Sequence, residues 1–509
     1  MLPISGGILY NERGFEDELG RCPMKKNILF AASECVPFIK TGGLADVVGS
    51  LPKYFDRKEY DVRVILPKYL CIPEKFQKEM RYVTHFYMDF CWRNQYVGIL
   101  QTERDGVTYY FLDSEFYYGG SWPYSNMLED IEKFSFFSRA VLSALPQIGF
   151  RPDVIHCHDW QTGLIPVYLN DDFQGDPFFR GIKTIFTIHN LKFQGTWDVA
   201  TIRNITGLSD YYFTSDKLEC YENGNLLKGG LVYADRITTV SRTYAREIQT
   251  EFYGEHLDGL LRARSSELSG IVNGIDYSFY NPETDKDIAA TYSVSDRKEK
   301  KAINKAALQK ELGLKEDPDA FMIGIVSRLT DQKGLDLVQC VLNEICAKDV
   351  QLVVLGTGEW RYEQMFRNMA EAHPARVSAN IFYSEALSHR IYAGCDAFLM
   401  PSLFEPCGLS QLMSLRYGTL PIVRETGGLK DTVEPYNQYT GQGTGFSFTN
   451  YNAHDMLHVI ELAKEVYQKH REEWEALSDR AMRQDFSWKK SAKEYEELYH
   501  ELLTEEETK

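Results

Sequence analysis

The chain has 509 residues, 25% of them charged and 44% hydrophobic, enough for two large domains or three ordinary ones. Its 56 Lys and Arg stand against 73 Asp and Glu, a formal charge of −17, which is the wrong sign for gathering nucleic acid by bulk charge. Ten cysteines lie scattered without a CxxC pair, which fits a reducing, cytoplasmic setting, and no apolar run approaches the ~18 residues of a membrane span. A phosphate-bearing small ligand stays compatible with an acidic chain, because a few local cations and backbone amides suffice to hold it.

Residues 1–23 are polar and irregular, whereas Met24 opens directly into the apolar run Ile28-Leu29-Phe30, so Met24 is expected to be a functional start. Strands are predicted at 27–33, 62–66, 107–112, 154–156, 184–188, 237–240 and 270–272, each separated by longer helical patterns. A second series follows at 322–326, 352–355, 381–383, 397–400 and 420–423. Between the series, 276–301 carries Pro282 and a charge run, and marks the domain boundary. Helical spacing resumes at 302–312, from Ala453 to Tyr467, and from Trp488 to Leu503. The fold class is α/β, with two doubly wound domains facing across a cleft, and function is to be sought at the carboxyl ends of the strands.

Those ends carry the chemistry. After the first strand, Lys40-Thr41-Gly42-Gly43-Leu44-Ala45-Asp46 offers glycines that let backbone amides approach an anion, with Lys40 as a point charge. An ordinary tight turn would look the same. His156-Cys157-His158-Asp159 and His189-Asn190 follow two further strands; no second ligand group has zinc spacing, and metal is not expected. Past the strand at 322–326, Arg328 and Lys333 share one loop, a pair suited to a diphosphate or to plain solvation. Glu405, in Pro401-Ser402-Leu403-Phe404-Glu405-Pro406, could take hydrogen bonds from sugar hydroxyls or simply complement a helix N-terminus. Thr426-Gly427-Gly428-Leu429 is a second glycine pair at a helix start.

Taken in order, KTGGLADVVGSLPK, HDWQTGL, TIHNLKFQG, VNGID, SRLTDQKG, PSLFEPCGLSQL and TGGLKDTV resemble the bacterial and plant glycogen (starch) synthase family over residues 24 to about 503. The resemblance implies two Rossmann-like domains in the GT-B arrangement. They are an N-terminal acceptor-side domain (24–275) and a nucleotide-sugar domain (276–486), with the terminal helix (487–509) crossing back. It implies retaining transfer of glucose from ADP-glucose to an α-1,4-glucan such as glycogen, with no metal or other cofactor; a UDP-glucose-dependent transferase of the same fold is the alternative. By position, Arg328 and Lys333 would bind the diphosphate, Glu405 would orient the glucose and His189 would hold it. Lys40, Asp46, Gly42 and Gly43 would shape the phosphate side, and Asp159 and Asn273 the sugar and acceptor side. Gly427 and Gly428 would present amides, and Tyr383, Thr426 and Leu429 complete the expected substrate-binding set. Many retaining relatives carry a second Glu eight positions after the first, where this chain has Met413.

Overall fold

The structure is a computed structural model and describes residues 25–346 and 350–504; the expected start at Met24, the segment 1–23 and the last five residues lie outside the described residues. Two large sheets organise the chain. The first has nine strands, in the order Leu268–Gly270, Arg236–Thr239, Lys183–Ile188, Val154–His158, Lys26–Ala31, Tyr60–Pro67, Val107–Asp113, Arg93–Arg104 and Arg81–Phe90. Pairing is parallel as far as Val107–Asp113 and antiparallel across the last two strands. The second sheet is wholly parallel, in the order Val377–Asn380, Val350–Leu355, Phe321–Val326, Ala397–Met400, Leu420–Arg424 and Phe446–Phe448. Its inner strands are apolar on both faces because helices cover both.

Two strand assignments shift. The predicted strand at 381–383 lies earlier, at Val377–Asn380, where Leu352 to Leu355 supply the pairing; 381–383 is the loop beyond. The strand predicted at 270–272 is Leu268–Gly270, set by its register on Ile237 to Thr239. Three further strands, Thr196–Asp198, Glu219–Cys220 and Asn223–Asn225, form a small sheet. Helices cover 297–311, 453–469 and 488–504. No helix among the described residues is long and apolar enough to cross a membrane.

The first sheet has one core and the second a core on each face, and the chain leaves the first core after Ile271 and joins one of the second's at Ile275. The last helix then returns, placing Trp488, Tyr495, Tyr499 and Leu502 in the first core. The two crossings touch: Ile275 N–H donates to Phe486 O at 2.8 Å, and a Cβ on Gly274 would stand 2.7 Å from Trp488 N. Tyr499 hydroxyl meets His156 Nδ1 at 2.8 Å, which ties the returning helix to the centre of the first sheet.

Candidate active site

In each sheet the strand order reverses at one place, and ligands of open parallel sheets sit at the carboxyl ends of the strands flanking such a reversal. In the first sheet those strands are Lys26–Ala31 and Val154–His158; in the second they are Phe321–Val326 and Ala397–Met400. The four loops that follow hold Lys40 to Asp46, Asp159, Arg328 to Lys333, and Glu405. Topology therefore gathers the sequence motifs without reference to their composition.

The loops meet across the gap. A Cβ on Gly43 would lie 3.7 Å from Leu409 Cδ1, in the loop after Glu405. Lys192 Nζ, three residues beyond His189, sits 5.9 Å from the centre of the Phe404 ring. Lys40 Nζ pairs with Asp46 at 2.8 Å. Burial works against its charge, but Asp46 outweighs it, with Glu385 of the second half adding, and the Lys40 pKa is raised. Glu385 in turn accepts from the hydroxyls of Tyr280 at 3.1 Å and Tyr383 at 2.9 Å. Tyr383, on the loop rather than a strand, is exposed.

On the second half, Lys333 Nζ donates to Glu405 Oε2 at 2.6 Å, and Ser402 Oγ donates to the same oxygen at 3.0 Å. Glu405 is buried. Arg328 is exposed and has no side-chain hydrogen bond or ion pair to another described residue.

On the first half, burial drives His189 down to about 3, so its imidazole is neutral near pH 7. His158 Nδ1 stands 3.0 Å from His189 Nε2, and the His158 ring stacks on His156 at 4.3 Å. Burial likewise lowers His156 to about 3.

Several of the expected site residues are engaged within the protein. Asp159 Oδ1 accepts the His189 backbone N–H at 2.7 Å, so its carboxylate serves the loop's backbone; burial still pushes its pKa up to about 7. The first glycine loop does not offer all its amides outward: Glu34 takes the N–H of Thr41, its hydroxyl at 2.6 Å, and the Gly42 N–H at 3.3 Å. Gly427 N–H donates to both oxygens of Glu247 at 3.1 Å, and Gly428 N–H to the carbonyls of Glu405 and Pro406 at 3.1 Å. Those amides are engaged within the protein, and Thr426 Oγ1 also goes to Glu247, at 3.1 Å. Leu429 is fully buried and is a core residue of the second half. Asn273 is buried beside the crossing, lining a 140 Å³ cavity with Asp431, Ser487 and Lys490.

Tyr124, Glu247 and Glu385 were not singled out from sequence, and Glu34 was read only as part of the family-like segment Ser33-Glu34-Cys35-Val36-Pro37, with no role attached. Tyr124 hydroxyl donates to Glu34 from 90 positions away, and Glu247 meets Gly427 from 180 away, so no local pattern announces either pair. Met413 is a buried core residue, which leaves Glu405 without the second carboxylate of many retaining relatives. Among the described residues, Asp285, Asp287 and His389 bring ligand atoms within 4.8 Å of one another, but His389 Nδ1 already meets Asp285 at 2.7 Å, as does the Tyr417 hydroxyl at 2.5 Å.

A family model described as "Starch synthase catalytic domain" matches residues 27–263, and one described as "Glycosyl transferases group 1" matches 305–478. The chain is 68% identical to the glycogen synthase of Lachnospira eligens and 64% identical to that of Lachnoclostridium phytofermentans, covering 94% of this chain and 100% of each relative. The solved catalytic domain of starch synthase IV from Arabidopsis thaliana, bound to ADP and acarbose, superposes with a TM-score of 0.88 at 33% identity, over 94% of this chain and 100% of that one. Sucrose-phosphate synthase from Thermosynechococcus elongatus shares the fold alone, at a TM-score of 0.60 and 15% identity over 94% of this chain and 100% of that one.

Proposed function

The chain belongs to the glycogen (starch) synthase family, and from that premise we propose how its cleft works. It is a retaining glucosyltransferase, moving glucose from a nucleoside diphosphate sugar to the end of an α-1,4-glucan. ADP-glucose is the donor we assign. The reading is supported by one observation: loops of the two halves meet, Gly43 against Leu409 and Lys192 against Phe404, with the Lys333–Glu405 pair, at 2.6 Å, on the second half and Lys40 and His189 on the loops of the first.

As the bond between the anomeric carbon and the diphosphate breaks, negative charge grows on the leaving oxygens. Lys333, held by Glu405, and Arg328 beside it are the cations we assign to that charge, and they stabilise the transition state more than the ground state. Arg328 is free to fork two phosphate oxygens, while Glu405 holds Lys333 in position and lies where it can orient the sugar. His189 stays neutral and offers a hydrogen bond to a glucose hydroxyl without competing for the phosphate. Lys40, braced by Asp46, faces the donor from the opposite side. Space above Gly42, where an added Cβ would meet no atom within 4 Å, leaves room for the ligand.

On this reading the acceptor-side domain is 24–275, the nucleotide-sugar domain 276–486, and 487–509 the return. The change of core between Ile271 and Ile275 and the gap between the two family matches support that division. We place the reaction in the cytoplasm.

Replacing Arg328 or Lys333 by Ala is expected to lower kcat/KM at least tenfold, about 1.4 kcal/mol or more of transition-state stabilisation. Initial rates of ADP release on glycogen measure it. Near-wild-type rates in both variants would remove the two cations from the reaction.

A further inference from the structure

Two short helices, one from each half, cap each other. Helix Arg242–Glu247 belongs with the first sheet and helix Gly427–Thr432 with the second. At one end Glu247 accepts from Gly427 N–H and Thr426 Oγ1. At the other, Asp431 accepts from Thr243 N–H at 2.9 Å and Thr243 Oγ1 at 2.6 Å. Each carboxylate thus satisfies donors that a helix start leaves without an intrahelical partner.

The two ends are not equivalent. Gly427 has φ +46°, and a Cβ there would lie 1.9 Å from the Glu405 carbonyl oxygen. Gly428 N–H donates to that same carbonyl at 3.1 Å, and a Cβ on Gly428 would stand 2.1 Å from Cys407 O. The backbone of Thr426-Gly427-Gly428 is therefore packed without slack on the loop that bears Glu405. A displacement of Thr426-Gly427 therefore acts on the loop that carries Glu405 through the Gly428 N–H bond to the Glu405 carbonyl. Asp431, a turn farther along, makes none of these contacts with the Glu405 loop.

We propose that Glu247 is a positioning residue for the transfer: when the two halves are together, its carboxylate fixes Thr426-Gly427, and through that backbone sets Glu405 against Lys333. The first half thereby reports its own docking to the charged pair on the second half, and the site is complete only when both halves are engaged. This rests on the function proposed above and adds a residue to it.

The test uses the full chain with three variants. Glu247→Ala is expected to lower kcat at least tenfold at saturating glycogen, with KM for ADP-glucose within threefold of wild type. Glu247→Gln, whose amide can still accept from Gly427 and donate to Thr426, should stay within threefold in kcat. Asp431→Ala, which removes a similar set of bonds at the same interface, should do likewise. A Glu247→Ala kcat within threefold of wild type overturns the proposal, and so does an Asp431→Ala loss as large as that of Glu247→Ala. If Glu247→Ala does not fold, Glu247→Asp, one methylene short of Gly427, carries the same expectation. Amide exchange gives a readout that needs no turnover: peptides covering 403–407 should exchange at least tenfold faster in Glu247→Ala and not in Asp431→Ala, and unchanged exchange there overturns the proposal. Absence of transfer in the wild type would instead sink the function and leave the exchange result standing by itself.

Discussion

A glycine is informative according to what its missing Cβ would meet, and the two glycine pairs of this cleft differ on that point. Gly427 is required by the protein itself, since its positive φ and the Glu405 carbonyl leave no room for a methyl group. Gly42 has φ −156° and open space above it, so the fold tolerates alanine there. Gly42→Ala is accordingly expected to melt within a degree or two of wild type and yet raise KM for the donor severalfold, whereas Gly427→Ala should lose both stability and kcat. Melting curves beside initial rates separate the cases; a Gly42→Ala enzyme with unchanged KM would take the donor away from that surface. The glycine pairs, Arg328, Lys333 and Glu405 were legible as motifs because each is a short local pattern at a strand end. Glu34 and Glu247 were not. Glu247 becomes meaningful only when the fold delivers it to Gly427, 180 positions along, and Glu34, though its amide partners Thr41 and Gly42 are close in sequence, is buried there by Tyr124 from 90 positions away.

Elements were legible where burial was two-sided. The inner parallel strands read as short apolar runs, and Ala397–Met400 has the predicted bounds. The antiparallel pair Arg81–Phe90 and Arg93–Arg104 escaped because its outer face carries Tyr82, Tyr87 and Tyr96 exposed to solvent, which blurs the inside-outside alternation. The terminal helix was legible in its period, and its destination followed from family resemblance alone. Its attachment has a measurable strength: Tyr499 is fully buried, packs on Phe55 at 5.6 Å and meets His156 Nδ1 at 2.8 Å. Tyr499→Ala should cost about 3 to 5 kcal/mol, from the cavity left and the unpaired imidazole nitrogen. Urea unfolding of the first half is the measurement, and a loss below about 1 kcal/mol would mean that the helix is not held by this contact.

At the scale of the whole molecule, two large sheets are joined by two touching crossings, and the proposed chemistry lies where the strand order of each reverses. Neither half holds the whole of the proposed site: His189 and Lys40 stand on the first, Arg328, Lys333 and Glu405 on the second. On the function proposed above, engagement of one half with the other is part of the reaction, and the Glu247 contact is the place where we propose it reaches Glu405. That division into halves was visible in the two series of strands, while the convergence of their loops required the topology. The central claim, glucose transfer from ADP-glucose to a glucan, is tested most directly by incubating the purified chain with glycogen and either ADP-glucose or UDP-glucose, without added metal, and following diphosphate release together with chain growth. The account predicts growth by α-1,4-linked glucose, faster from ADP-glucose. Faster growth from UDP-glucose would overturn the donor, and no growth from either would contradict the account as a whole.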